Sequence, residues 1–249
     1  MRAYHVPTID RRYWAGIALA SVFGTNMGDL YAHDSGLGLL GGLPILAAIF
    51  LVIYFIERID ERRHDAYYWL CIVVLRTGAT NVADYMAGRR GMHIDRLTLS
   101  IGFALLLALL AWALGKRDRG AAGAGSSKTM PVTDPGYWVT MLTAGILGTV
   151  LGDLCEQVFG EDLATVGLLA CLAVAFLLYR KFSTGGLAAY WLMVAVARTA
   201  GTAVGDWLAE SPHLKLGLPL STLLTGASLA AVLVLGLWRQ PARAAEQPR

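Results

Sequence analysis

Gly148-Thr149-Val150-Leu151-Gly152-Asp153 is one of four stretches in this chain with a small residue, a threonine, two intervening residues, a second small residue and an aspartate. The others are Gly24-Thr25-Asn26-Met27-Gly28-Asp29, Ala79-Thr80-Asn81-Val82-Ala83-Asp84 and Gly201-Thr202-Ala203-Val204-Gly205-Asp206. Each aspartate follows by fifteen residues the tryptophan of a Tyr-Trp pair: Tyr13-Trp14, Tyr68-Trp69, Tyr137-Trp138 and Tyr190-Trp191. Internal repetition of this kind sets the architecture before any other feature does. Arg76 and Arg198 stand eight residues before the aspartates of copies two and four, where copies one and three have Ser21 and Gly145. The order is ABAB, so one half of the chain reads as a duplicate of the other.

Composition places the repeat in a membrane. The 249 residues are 56% hydrophobic and 16% charged, with a mean hydropathy of +0.53, well above the apolarity of a soluble domain. The net charge of +3 is too small to indicate a nucleic-acid partner. Cys71, Cys155 and Cys171 fall in or beside apolar spans without CxxC spacing, so they read as small buried residues rather than as a disulfide framework or zinc site. Arg2, Arg11 and Arg12 precede a long first span without an A-x-A site, so that span is expected to act as its own uncleaved signal.

The resulting fold class is an all-α polytopic membrane bundle. Eight spans are expected, over about 13–31, 37–56, 66–86, 97–114, 137–155, 163–179, 189–208 and 216–238. Each is close to the ~20 residues that cross ~30 Å of hydrocarbon. Residues 1–115 form the first half, with repeats one and two. A linker over 116–136, rich in Gly, Ala, Ser and charge, joins it to the second half over 137–238, and 239–249 is a polar tail. Pro44 and Pro219 shape the starts of spans two and eight.

Of the 21 Lys and Arg residues, fifteen lie in the N-terminus, the loops after even-numbered spans and the C-terminus, against four on the other side. The positive-inside rule makes both termini and the linker cytoplasmic. Because every repeat holds two spans, all four copies enter from the same side. They are parallel repeats with pseudo-symmetry about the membrane normal, which disfavours an inverted-repeat fold.

Tyr and Trp favour the interface, which places the four pairs at the cytoplasmic boundary. Fifteen residues at a rise of ~1.5 Å carry each aspartate roughly 22 Å onward, still inside the hydrocarbon. A charged group at that depth costs ~3 kcal/mol unless it faces a polar interior or a partner. Asp29, Asp84, Asp153 and Asp206 should therefore point inward together. Thr25, Thr80, Thr149 and Thr202 at i−4 share their face, as do Arg76 and Arg198 at i−8, and Asn26 and Asn81 add amides. The small residues at i−5 and i−1 form a small-xxx-small pattern that lets helices approach closely, so the odd-numbered spans are the expected inner ring.

Four aspartates and two arginines sum to minus two, which one divalent cation or two protons would neutralise. Carboxylate, amide and hydroxyl oxygens suit Mg²⁺, Ca²⁺ or Mn²⁺, and outer-rim residues His33, His93, Glu156, Glu210 and His213 extend the choice to transition metals. No organic cofactor is implied. No phosphate-binding loop, HExxH or nucleophile elbow is present, so an enzyme is not expected.

With the four Thr-containing copies set out, the chain resembles a family of bacterial multi-pass proteins, uncharacterised and membrane-anchored, with a repeat of unknown function. The resemblance runs from Tyr13 to Trp238 and rests on residues 24–29, 79–84, 148–153 and 201–206. It implies a bacterial inner-membrane protein of four two-helix repeats and brings no activity with it. Copy two departs from it, with Ala79 and Ala83 for both glycines. The leading expectation is a cation transporter, possible proton coupling included, with the aspartates as ligands or proton carriers and the arginines as internal counter-ions. A passive channel and a non-transporting scaffold or sensor with an Asp/Arg core are the alternatives. The lipid bilayer and a small inorganic cation or protons are the partners this implies, and the sequence leaves the oligomeric state open.

Overall fold

A computed structural model describes residues 6–34, 36–60, 64–88, 91–121, 131–181 and 186–237. The tail over 239–249 and residues 122–130 of the linker lie outside the described residues. Among the described residues the fold is all-helical: α1 (Arg11–Asp34), the one-turn α2 (Gly38–Gly41), α3 (Leu43–Ile59), α4 (Asp65–Ala87), α5 (Arg96–Ala121), α6 (Pro135–Phe159), α7 (Glu161–Lys181), α8 (Leu187–Glu210) and α9 (Gly217–Leu237).

Local chemistry sets several ends. Asp10 accepts from the backbone N–H groups of Arg12 and Tyr13 at 2.8 and 2.9 Å, and Asp134 accepts from Tyr137 N–H at 2.8 Å. Both carboxylates satisfy orphan donors of a first helical turn, three residues before a repeat tyrosine. Pro44 and Pro135 occupy first-turn positions where no N–H is needed. Helix α5 runs on to Ala121, beyond the expected span end at 114, so the helix continues into the residues assigned to the linker.

α1, α4, α6 and α8 form a closed ring in which each packs on its two neighbours, in the order α1, α4, α6, α8 and back to α1. The other long helices stand outside it: α3 packs on α4, α5 on α6, α7 on α8, and α9 on α1 and α8. Each outer helix thus leans on the inner helix of the next repeat, and the last repeat closes onto the first. The apolar windows of α6 and α8 are 67% and 61% buried, against 6 to 22% in the outer four. Ile49, Phe55, Leu105, Leu109, Leu177 and Leu223 are among the large side chains exposed on those outer helices. A chain with this much exposed aliphatic surface is covered by lipid.

Among the described residues six helices are long and apolar enough to cross a membrane: the α2–α3 stretch, α5, α6, α7, α8 and α9. The eight expected spans are therefore met in six. α1 and α4, with 24 and 23 residues, have the length but not the apolarity. The reason is their interior role. α1 buries Ser21, Thr25 and Asn26, and α4 buries Arg76, Thr77, Thr80 and Asn81, in positions shielded from lipid by neighbouring helices.

Candidate functional site: a polar axis through the inner ring

Along each inner helix one residue in four faces the axis. α1 supplies Tyr13, Ile17, Ser21, Thr25 and Asp29; α4 supplies Tyr68, Ile72, Arg76, Thr80 and Asp84. α6 supplies Tyr137, Met141, Gly145, Thr149 and Asp153; α8 supplies Tyr190, Val194, Arg198, Thr202 and Asp206. Equivalent residues meet across the ring at more than one tier, so all four helices run in the same direction. A stripe of period four outruns the 3.6 residues of a helical turn, so it stays on one axis only if the helices coil right-handedly around each other.

The tyrosines close one end. Tyr13, Tyr68, Tyr137 and Tyr190 form a cyclic ring of hydroxyl hydrogen bonds: 2.7 Å from Tyr13 to Tyr68, 2.8 Å to Tyr137, 2.7 Å to Tyr190 and 2.6 Å back to Tyr13. Each hydroxyl donates once and accepts once. Every Trp stands edge-on to its own Tyr and tilts over the Tyr of the preceding repeat, as Trp69 does over Tyr13 at 5.8 Å and Trp14 over Tyr190 at 5.7 Å. All eight aromatics are buried. The interfacial anchoring expected of these pairs is thus replaced by an axial plug, because the phenol oxygens find partners in each other and need no water.

Tyr137→Phe is expected to lower stability by about 1–3 kcal/mol, since it leaves one neighbour's donor and another's acceptor unpaired. Replacing all four by Phe should cost less than four times as much, because no half-satisfied hydroxyl remains. Thermal unfolding in detergent checks both, and strictly additive losses would refute the cyclic ring.

Above the plug lies an apolar tier of Ile17, Ile72, Met141 and Val194, all buried. The threonine tier comes next, centred on Arg76. Its Nη1 donates to Thr80 and Thr149 at 2.9 and 2.7 Å, and its Nη2 donates to Thr25 and Thr202, both at 2.7 Å. One guanidinium on the axis is therefore held by a hydroxyl from every inner helix. The Thr25, Thr80 and Thr202 hydroxyls in turn donate to the carbonyls one turn back.

Arg198 is treated differently. Its guanidinium is 1% exposed and reaches the Met141 sulfur at 3.3 Å, while Nε and Nη1 have no hydrogen-bond partner. The four threonines are taken by Arg76, and like charges separate. Arg76 extends toward the Thr tier, and Arg198 toward the tier of Met141, one turn above Tyr137.

The motif's small residues explain the spacing. A Cβ on Gly148 would lie 2.6 Å from Arg198 Cβ, and one on Gly24 would strike the Arg76 stem. One on Gly28 or Gly152 would come within 2.8 Å of the Cβ of Thr80 or Thr202. The i−5 residue thus receives the i−8 residue of the next helix, and the i−1 residue receives its threonine. Ala79 fits the same scheme because its neighbour there is Gly145. This close approach is the one small-xxx-small surfaces permit.

Asp29, Asp84, Asp153 and Asp206 stand at the far end, the mouth, one turn beyond the threonines, each half-buried. Arg96, the first residue of α5, pairs with Asp153 at 3.3 Å. Asp29, Asp84 and Asp206 have no ion pair among the described residues. Neither Arg76 nor Arg198 forms an ion pair with an aspartate among the described residues: Thr hydroxyls hold the one, and the other reaches the Met141 sulfur.

Asn26 leaves the axis. It donates to Ser221 on α9 at 3.1 Å, as its place three residues before Asp on a helix allows, and the Asn81 amide is buried with no hydrogen-bond partner.

The expected outer-rim metal set is not assembled. Among the described residues no three His, Cys, Asp or Glu side chains come together to hold a metal ion. His33 bonds the Asp29 carbonyl at 2.8 Å, His93 sits in the α4–α5 loop at φ +54°, and His213 stands exposed after α8. Glu156 and Glu210 remain on the rim of the mouth. Trp207 ties that rim together by donating to Asp162 on α7 at 2.8 Å.

A family model described as Repeat of Unknown Function (DUF347) matches residues 12–62 and 189–241. The two matched segments are separate parts of the chain. The first spans α1 to α3, and the second spans nearly all of α8 together with α9, so the two matched segments are neighbours where the ring closes. α4 to α7 lie outside both matches and supply the same Tyr, Thr and Asp tiers. No curated protein and no solved structure matches the chain.

Proposed function

We propose that this protein is an integral membrane transporter for a small cation, with the inner ring as its pathway and the four aspartates as its entry site. The observation that carries the reading is a polar axis inside an apolar bundle that ends in carboxylates, three of them without an ion pair. A ring of acidic side chains at a mouth concentrates cations. Oxygen donors select hard cations, Mg²⁺, Ca²⁺ or Mn²⁺, which would be bound through their water because no three carboxylates come together among the described residues. Protons carried on the same carboxylates would couple the movement.

In this reading the conformation described is open at the carboxylates and closed at the tyrosines, and transport requires the tyrosine ring to separate. The charge distribution of the loops puts the tyrosine end in the cytoplasm and the mouth outside, in a bacterial inner membrane. The eight long helices all span, as four parallel two-helix repeats. A passive channel is less well supported, because Arg76 and the hydroxyl ring both obstruct the axis. A scaffold or sensor is favoured by one observation, the complete hydrogen bonding of Arg76 Nη1 and Nη2, which leaves that tier with no need of a passenger.

Proteoliposome uptake across a panel of divalent cations, with and without a pH gradient, separates the readings. Wild type should show saturable uptake, and Asp84→Asn and Asp206→Asn should each reduce it about tenfold or more, as expected for losing a charged contact worth ~1.5–3 kcal/mol. Uptake unchanged by both substitutions would exclude the carboxylate entry site. No uptake for any cation, in protein that remains folded, would favour the scaffold.

A further inference from the structure

We infer that the axis also holds a small monovalent inorganic anion, of the chloride class, between the Arg198 guanidinium and the tyrosine hydroxyl ring. The site is independent of the cation pathway: it lies on the other side of Arg76 from the aspartates.

Arg198 is the observation. A guanidinium offers five N–H donors in a fixed fork, and here two of its nitrogens, Nε and Nη1, are buried without a partner. The third, Nη2, meets only a thioether sulfur, a weak acceptor. No carboxylate pairs with it among the described residues, and the side chains of the tier it enters, Ile17, Ile72, Met141 and Val194, supply no charge. A buried cation in this position is strongly unfavourable unless it is matched. The four threonine oxygens accept from Nη1 and Nη2 of Arg76, whose Nε is also left without a partner, and so are not available to Arg198.

The opposite wall is the tyrosine ring, one helical turn (~6 Å) beyond the Met141 tier. Its four hydroxyls bring O–H groups to this end of the axis, and a phenol rotates its O–H freely to suit its neighbour. One or more can turn from the ring toward an anion while Arg198 donates from above. The ligand is small because buried side chains surround it, and monovalent because it answers one guanidinium. An interposed water would fill donors and acceptors but would leave the charge unmatched.

The test is equilibrium binding of radiolabelled chloride to the detergent-solubilised full chain at constant ionic strength, with gluconate as the replacement anion. The expected result is saturable binding of one chloride per chain, displaced by bromide, with a thermal midpoint that rises in chloride but not in gluconate, as ligand linkage requires. Arg198→Gln should weaken binding about tenfold or more, and Arg198→Lys should retain part of it. Asp206→Asn, on the far side of Arg76, should leave it unchanged. If Arg198→Gln does not fold, Tyr137→Phe provides the second arm, with weaker chloride binding expected. Chloride and gluconate giving equal midpoints and no saturable label in wild type would overturn the inference and leave water as the partner of Arg198. Undiminished binding in Arg198→Gln would overturn it as well.

Discussion

Gly148→Leu is expected to destabilise the bundle by about 3 kcal/mol or more, the upper end of what overpacking does. The added Cβ alone would sit 2.6 Å from Arg198 Cβ, 2.8 Å from its carbonyl carbon and 3.1 Å from its carbonyl oxygen. Two of those three atoms belong to the backbone of α8, so no side-chain rotation relieves them. α6 and α8 must separate, and the separation is felt in every tier because one axis passes through all of them. Gly102 on α5 is the control, since a Cβ there meets nothing within 4 Å, and Gly102→Leu should melt like wild type. Thermal unfolding in detergent reads both. Equal midpoints for the two variants would show that α6 and α8 do not approach this closely.

Thr25→Val combined with Thr202→Val is expected to cost about 3–6 kcal/mol, the loss of two hydrogen bonds from a buried charged donor at about 1.5–3 kcal/mol each. Both threonines accept from Arg76 Nη2 at 2.7 Å, so the double variant leaves that nitrogen with nothing. Neutral interhelical hydrogen bonds in membranes average only ~0.6 kcal/mol. The larger figure here rests on the donor's charge. It yields a sharper test: adding Arg76→Met to the double variant should restore most of the lost stability, since the unmatched charge is gone. Arg76→Met alone should be mild, because an apolar replacement for a buried ion is often neutral. If the triple variant is instead less stable than the double, Arg76 contributes packing rather than a matched charge, and its four threonines are incidental.

The inner ring was legible from the repeat itself. Asp, Thr and the small residues at fixed offsets can share one face only on a helix, and four copies with two spans between successive starts can only run parallel. What misled was the Tyr-Trp pair. Taken singly, an amphipathic aromatic at a span end is an interfacial anchor, and only four such pairs at one level show that the phenols can satisfy each other. The repeat did hold that signal, in the period of four running from Tyr through to Asp. Asn26 shows the converse: adjacency to the motif suggested the axis, but its offset of three from Asp turned it toward α9.

The sequence by itself determined which helices line the axis, their common direction and the tier each polar residue occupies, because helical rise and periodicity are local properties of a chain. Tertiary structure alone decided the partners. The sequence places Arg76 and Arg198 at equivalent positions beside four aspartates, and nothing local distinguishes them. On a shared axis, however, there is room for one guanidinium among four threonines. Once Arg76 occupies that place, charge repulsion and the geometry of the tiers send Arg198 toward the tyrosines, and neither arginine becomes an ion-pair partner of the carboxylates at the far end.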